Sequence, residues 1–167
     1  VIQNGQTSGE FQIVVFTVAG TEFGIPISVV REIIAAGNVV ALPDMPQAMV
    51  GILNVRGNVL PVIDLRSKFG MGSGKAVGAN SNKILLVELN ESTVGFLVDA
   101  VSEVLSVSES HLEYLTQIHG LQSGLVGSIC KLGDRLIPIV AVEKLLTFQE
   151  TKQLENVSKE RVTCSAI

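Results

Sequence analysis

Strand-forming residues dominate the chain, in pairs of runs separated by turn residues. Ile13-Val14-Val15-Phe16-Thr17-Val18 is β-branched and aromatic, Gly20-Thr21-Glu22 reads as a turn, and Phe23-Gly24-Ile25 resumes the extended pattern. Together they predict a hairpin. The pattern returns 71 positions later: Ile84-Leu85-Leu86-Val87-Glu88-Leu89, then Asn90-Glu91-Ser92, then Val94-Gly95-Phe96. Val30-Arg31-Glu32-Ile33-Ile34 keeps that register onto Val101-Ser102-Glu103-Val104-Leu105. Further along, residues 51–57 lie over 127–133 at a separation of 76, which sets Arg56 over Leu132. Val59-Leu60-Pro61-Val62-Ile63 then lies over Leu136-Ile137-Pro138-Ile139-Val140 at 77. Proline cannot donate to a ladder, so Pro61 and Pro138 are each expected at an edge, a strand start or a bulge. Short helix-like ends follow both strands, at residues 65–69 and 142–146.

The repeat predicts a mainly β protein of two related halves, each small alone, forming curled sheets that pack together or exchange strands. Helices should be few and short. Residues 26–36 mix a helical spacing (Ile27, Val30, Arg31, Ile34) with β-branched content, and one helical turn leading into a strand is expected. Residues 116–124 read as loop. Residues 1–10 and 149–167 read as tails outside the core, and the Gly-rich stretch 71–82 as the linker between halves.

Composition narrows the function. The 47% apolar content supplies core material, while 17% charged residues leave a surface lean in ions, part of which should meet partners. The net charge of -4 and the lack of a Lys/Arg cluster remove the electrostatic footprint of nucleic-acid binding. No apolar run approaches the roughly 20 residues that span a bilayer, and residues 1–9 are polar rather than a signal peptide, so no direct membrane insertion is expected. Cys130 and Cys164 form no disulfide framework and no zinc spacing, which points to a reducing, cytoplasmic compartment.

Candidate chemistry is thin. Gly70-Met71-Gly72-Ser73-Gly74-Lys75-Ala76 has one residue too few before Gly-Lys for a phosphate-binding loop, and Ala76 lacks the hydroxyl that would ligate magnesium. A duplicated β hydrolase of the aspartic-protease kind would need a matched Asp in each half, yet Asp64 falls on Ala141 and Asp99 on Ser28. The acidic residue that is duplicated, Glu32 with Glu103, has apolar neighbours and suits an ion pair. His111 and His119 stand beside no serine or cysteine in a nucleophile–base motif and read as loop residues. No catalytic group, cofactor or metal ligand is expected. Arg56 remains, a charge between apolar strand segments, either solvated at a hairpin or paired with Glu32 to shape or contact a partner.

The segment Gly-Ile-Leu-Asn-Val-Arg-Gly-Asn-Val-Leu-Pro-Val-Ile-Asp-Leu-Arg-Ser-Lys-Phe, residues 51–69, closely resembles the signature stretch of CheW-like domains. Phe-Gly-Ile after Gly-Thr-Glu, and Val-Gly-Phe-Leu-Val-Asp-Ala-Val-Ser-Glu-Val-Leu at 94–105, are similar to the same family, so the resemblance covers residues 11–148. It implies two intertwined five-stranded SH3-like barrels, one at 11–70 and one at 83–148, forming one domain. It also implies a non-enzymatic adaptor that joins the hairpin tip of a chemoreceptor to the regulatory domain of the histidine kinase CheA. The matching positions place Arg56, Glu32, Val30 and Gly51 at or beneath the receptor-facing region, with the kinase-facing residues unassigned. A free adaptor is expected over a module of a larger protein, since no receiver or ATP-binding segment is visible.

Overall fold

Strands whose consecutive residues are all apolar need cover on both faces, and the architecture supplies it twice. A computed structural model of the chain describes residues 9–71, 82–89, 91–115 and 124–145. Its strands are β1 Glu10–Val18, β2 Thr21–Pro26, β3 Val30–Ala35, β4 Met49–Val55, β5 Asn58–Asp64, β6 Lys83–Leu89, β7 Ser92–Val98, β8 Ala100–Ser108, β9 Leu112–Tyr114, β10 Val126–Leu132 and β11 Arg135–Val140. The four-residue helix α1, Leu65–Lys68, follows β5. Single 3-10 turns stand at Ile27–Val29, Glu109–His111 and Val142–Lys144. The ambiguous stretch 26–36 is thus a helical turn leading into β3. Most of the linker, residues 116–123 of the expected loop, residues 1–8 and the C-terminal tail lie outside the described residues. The N-terminal tail expected at 1–10 is too long, since Glu10 already belongs to β1.

The strands form two sheets. One has the order β9-β10-β11-β2-β1-β8, the other β3-β6-β7-β5-β4. Five strands of the first match the second one for one under the repeat, with β9 added at an edge. The sheets cut across the sequence halves 11–70 and 83–148, because each half gives its opening hairpin to the sheet of the other. β1 and β2 join β8, β10 and β11, whereas β6 and β7 join β3, β4 and β5. This is the intertwined, mainly β architecture of paired SH3-like barrels.

Alternation within each exchanged strand divides its side chains between two cores. Val14, Phe16 and Val18 of β1 enter a core shared by the sheets, together with Leu85, Val87 and Leu89 of β6. Ile13 and Val15 turn instead into a separate cluster with Val107, Cys130, Ile137 and Ile139. Ile84 and Leu86 do the same on the other side, with Leu53, Leu60, Val62 and Leu97. Both faces are therefore apolar, which is why the runs show no polar alternation.

Each donated hairpin meets its host through a parallel contact at a glycine. Gly24 pairs with Ile139, and Gly95 with Val62. A Cβ on Gly24 would lie 2.9 Å from Ile139 Cδ1 and 3.0 Å from Ile13 Cδ1, and one on Gly95 would lie 2.9 Å from Ile84 Cγ2. The prolines are explained at the same place. Pro61 and Pro138 stand in strands flanked on both sides, not in edge strands, at starts or at bulges, yet each lies one residue before its parallel pairing begins. Locally the missing N–H has no ladder partner to disappoint.

Two readings of the sequence need correction. The first turn is Ala19-Gly20, both at positive φ (52° and 81°), with Thr21 and Glu22 already in β2. The 76-residue separation does not hold either: Ile52 pairs with Pro61 and Ile129 with Pro138, while Val55 pairs with Asn58 and Leu132 with Arg135. The whole hairpin therefore repeats at 77, and Arg56 stands over Gly133 rather than Leu132. The glycines at 57 and 133 had suggested a false match, because the two-residue turns place glycine second in one and first in the other.

Gly95→Ala is expected to lower the unfolding free energy by about 1–3 kcal/mol through overpacking. Gly37→Ala, whose Cβ would meet nothing within 4 Å, serves as the control. Urea denaturation measures both, and equal midpoints would contradict the close approach.

Candidate functional site

The side chains singled out by the sequence lie on β3 and on the β4–β5 hairpin, at opposite edges of the five-stranded sheet. A β-bulge at Arg31, between the pairs Val30–Val87 and Glu32–Leu86, resets the alternation of β3. Glu32 consequently shares a face with Leu86, the face that carries that sheet's own apolar cluster. The equivalent bulge at Ser102 gives Glu103 the corresponding place opposite Val15.

Arg56 and Gly57 form the two-residue turn between β4 and β5, both with positive φ (52° and 84°). That conformation matches the strand twist but is uncommon for arginine. Asn54 Oδ1 supports it by accepting from the Gly57 N–H at 3.0 Å. From the turn the guanidinium reaches Glu32 in a bidentate pair, Nη1–Oε1 at 2.8 Å and Nη2–Oε2 at 2.7 Å. The pair joins the edge strand β3 to the hairpin that carries the opposite edge, so it closes the curl of the sheet across the end of its apolar interior. Hydrogen bonds from Arg56 hold the Glu32 carboxyl below its ordinary 4.5, and the Arg56 value rises correspondingly. The Arg56 side chain is 71% exposed and that of Glu32 32%, so solvent screens the attraction and geometry matters more than raw energy.

The second sheet has an analogue built from different positions. Arg135 donates to Glu22 through Nε at 3.0 Å and Nη2 at 2.9 Å, and through Nη2 to Glu103. Hydrogen bonds from Arg135 lower the Glu22 carboxyl. Both duplicated glutamates are thus paired, each with an arginine of its own sheet. Each is bonded to its own arginine, unlike the facing carboxylates of a hydrolytic pair. Asp64 and Asp99 also serve backbone N–H groups, of Arg66 and Ala19 respectively. Cys130 is buried, which pushes its thiol up. His111 Nδ1 accepts from the Ser108 N–H at 3.2 Å and caps the 3-10 turn that follows β8.

Of the four expected positions, only Glu32 and Arg56 bond to each other. Gly51 is buried in β4 against the neighbouring backbone, where a Cβ would stand 2.2 Å from the Val40 carbonyl oxygen. Val30 is half-buried against the shared core. The sequence reading missed Ile33 and Val104, which stand opposite the core residues Leu85 and Val14 yet remain 40% and 46% exposed. They extend the shared core to the surface along the edge strands β3 and β8. Their match at the 71-residue separation was a usable signal, since both are apolar beside the duplicated glutamate. Among the described residues no helix is long and apolar enough to cross a membrane.

Comparison with known proteins bears on the whole domain. A family profile described as the CheW-like domain matches residues 12–150. The chemotaxis protein CheW of Klebsiella aerogenes is 32% identical over 157 residues, 93% of this chain and 92% of that protein. Its namesake from Helicobacter pylori is 30% identical, covering 81% of each. The crystal structure of the scaffolding protein CheW from Thermoanaerobacter tengcongensis superposes with a TM-score of 0.75 at 31% identity, over 84% of this chain and 96% of that one.

NMR titration of the Glu32 carboxyl carbon should give a midpoint below 4.5 that returns to the ordinary range in Arg56→Ala. A depressed carboxylate stabilises the fold above its ordinary value and loses that contribution as pH falls through the folded value. The pair should therefore be complete at neutral pH and break only in acid. An unaltered midpoint in the variant would show that the two groups are not bonded in solution.

Proposed function

The chain belongs to the CheW-like domain family, and on that premise we propose that it couples chemoreceptors to the histidine kinase CheA by binding both. The protein is a chemotaxis adaptor, and the reading that it carries no catalysis of its own and works in the cytoplasm follows from that role. The observation that carries the proposal is family membership over nearly the full domain, joined to a surface suited to docking. On β3 and β8 the shared core emerges as Ile33 and Val104, with Val30 and Val101 half-buried behind them. Such a rim fits the apolar face of a helical hairpin, the shape of a chemoreceptor tip.

Arg56 and Glu32 then act in two ways. Their bidentate bond holds the end of the five-stranded sheet closed, which keeps β3 and its rim in place. The exposed guanidinium also leaves polar edges for a partner. Gly51 supports the same region from beneath, by letting the Val39–Val40 segment close on β4. For CheA, a candidate surface is the outer face of the β10–β11 hairpin, where Leu136 is 60% exposed beside the half-buried Ile129 and Pro138.

Arg56→Glu and Ile33→Lys should each reduce co-sedimentation with receptor fragments on the order of tenfold or more, with the thermal melt close to native. Arg56→Lys should fall between, because an ammonium cannot reproduce the planar fork. Kinase activation by receptor and CheA should follow the same ranking. Native coupling in Arg56→Glu and Ile33→Lys would reject the assigned surface.

A further inference from the structure

The chain leaves the five-stranded sheet at the end of β7 and enters the six-stranded one at Ala100, the first residue of β8. Asp99 is the residue between, and its contacts are unusually concentrated. Its Oδ2 accepts from the Ala19 N–H at 2.8 Å and from Arg66 Nη2 at 2.7 Å. Its own N–H donates to the Thr17 carbonyl at 3.0 Å. Ala19 lies in the β1–β2 turn with φ at 52°, and Arg66 lies on α1, so one carboxylate oxygen ties three segments together. Just beyond α1, the Phe69 ring packs tilted against Phe23 of β2 with ring centroids 4.7 Å apart, which joins the same two segments by apolar contact.

The repeat shows that the arrangement is specific to one side. The counterpart of Asp99 is Ser28, and the counterpart of Arg66 is Glu143. A serine and a glutamate form no ion pair, and the turn Val142–Lys144 is instead followed by Leu145, buried in the shared core. The shared fold can therefore close without a carboxylate at this corner. Its presence on the side that leads into β8 calls for a local reason.

We propose that Asp99 is a positioning residue for the partner-facing rim. It fixes the passage into β8, and so sets where Val101 and Val104 stand relative to the first hairpin, without touching a partner itself. Arg66 assists by holding the carboxylate, which would otherwise be free to rotate away from Ala19. The inference rests on the adaptor reading for its functional half, while its structural half concerns the free protein alone.

Two measurements on the full chain test it. Asp99→Ala should speed amide hydrogen exchange at Ala19 about tenfold or more, the loss of a bond to a charged acceptor, and should raise exchange along the start of β8. Exchange at the buried core residue Phe96 should stay native, which separates this effect from general unfolding. Co-sedimentation with receptor fragments should weaken in the same variant. Arg66→Ala should weaken it too, and Arg66→Lys should recover much of the loss. Native exchange at Ala19 in Asp99→Ala would overturn the proposal, as would altered exchange with undiminished receptor binding. Should the native protein itself fail to bind receptor, the adaptor reading falls, and the exchange data alone decide whether Asp99 orders the corner.

Discussion

Two glycines at the crossings of the sheets constrain everything else. Each repeat lends its opening hairpin to the other, and the loan is accepted through a parallel contact that leaves no room for a side chain at Gly24 or Gly95. Because the hairpins cross, β1 and β6 lie between a private core and a shared one, and their residues are apolar on both faces. Neither sheet contains strands from one repeat only. The two sheets are thus linked by the crossing chain as well as by the shared core, which makes a small chain a single cooperative unit.

The polar groups sit at the ends of this scaffold. Glu32 and Glu103 occupy equivalent places after equivalent bulges, and each is held by an arginine, Arg56 from the first position of a turn and Arg135 from just after one. The same need, closing a curled sheet over an apolar interior, is met by different residues in the two halves. Each carboxylate is only partly covered, and its arginine orients it, through both oxygens at Glu32 and through Oε2 at Glu103. Under the proposed adaptor role the division is a useful one, with packing holding the frame and a few partly exposed charges and apolar rims left to meet partners.

Much of this was legible in the residues. The separation of 71 positions revealed the duplication, and with it two small, related sheets that pack together or exchange strands. The Glu32–Arg56 bond was readable as a possibility because charge opposed charge in an otherwise apolar region. Hairpin exchange was suggested but its pattern was not, since the sheet a strand joins depends on contacts between residues far apart, such as Gly24 with Ile139. The counterpart of Arg56 was misplaced because glycine occupies different positions of two short turns. Ile33 and Val104 escaped notice because an apolar residue on an edge strand looks like core until the cover is seen to stop short. Asp99 was considered only as a catalytic carboxylate, as its partners Ala19 and Arg66 are remote in sequence.

Interleaving of the repeats is the central claim, and separating them tests it most directly. The chain can be prepared as two pieces, residues 9–76 and 77–148, and followed by circular dichroism and thermal melting alone and mixed. Each piece alone should lack a cooperative transition, since its hairpin has no host sheet, and an equimolar mixture should recover one. A cooperative, native-like melt from either piece by itself would contradict the account.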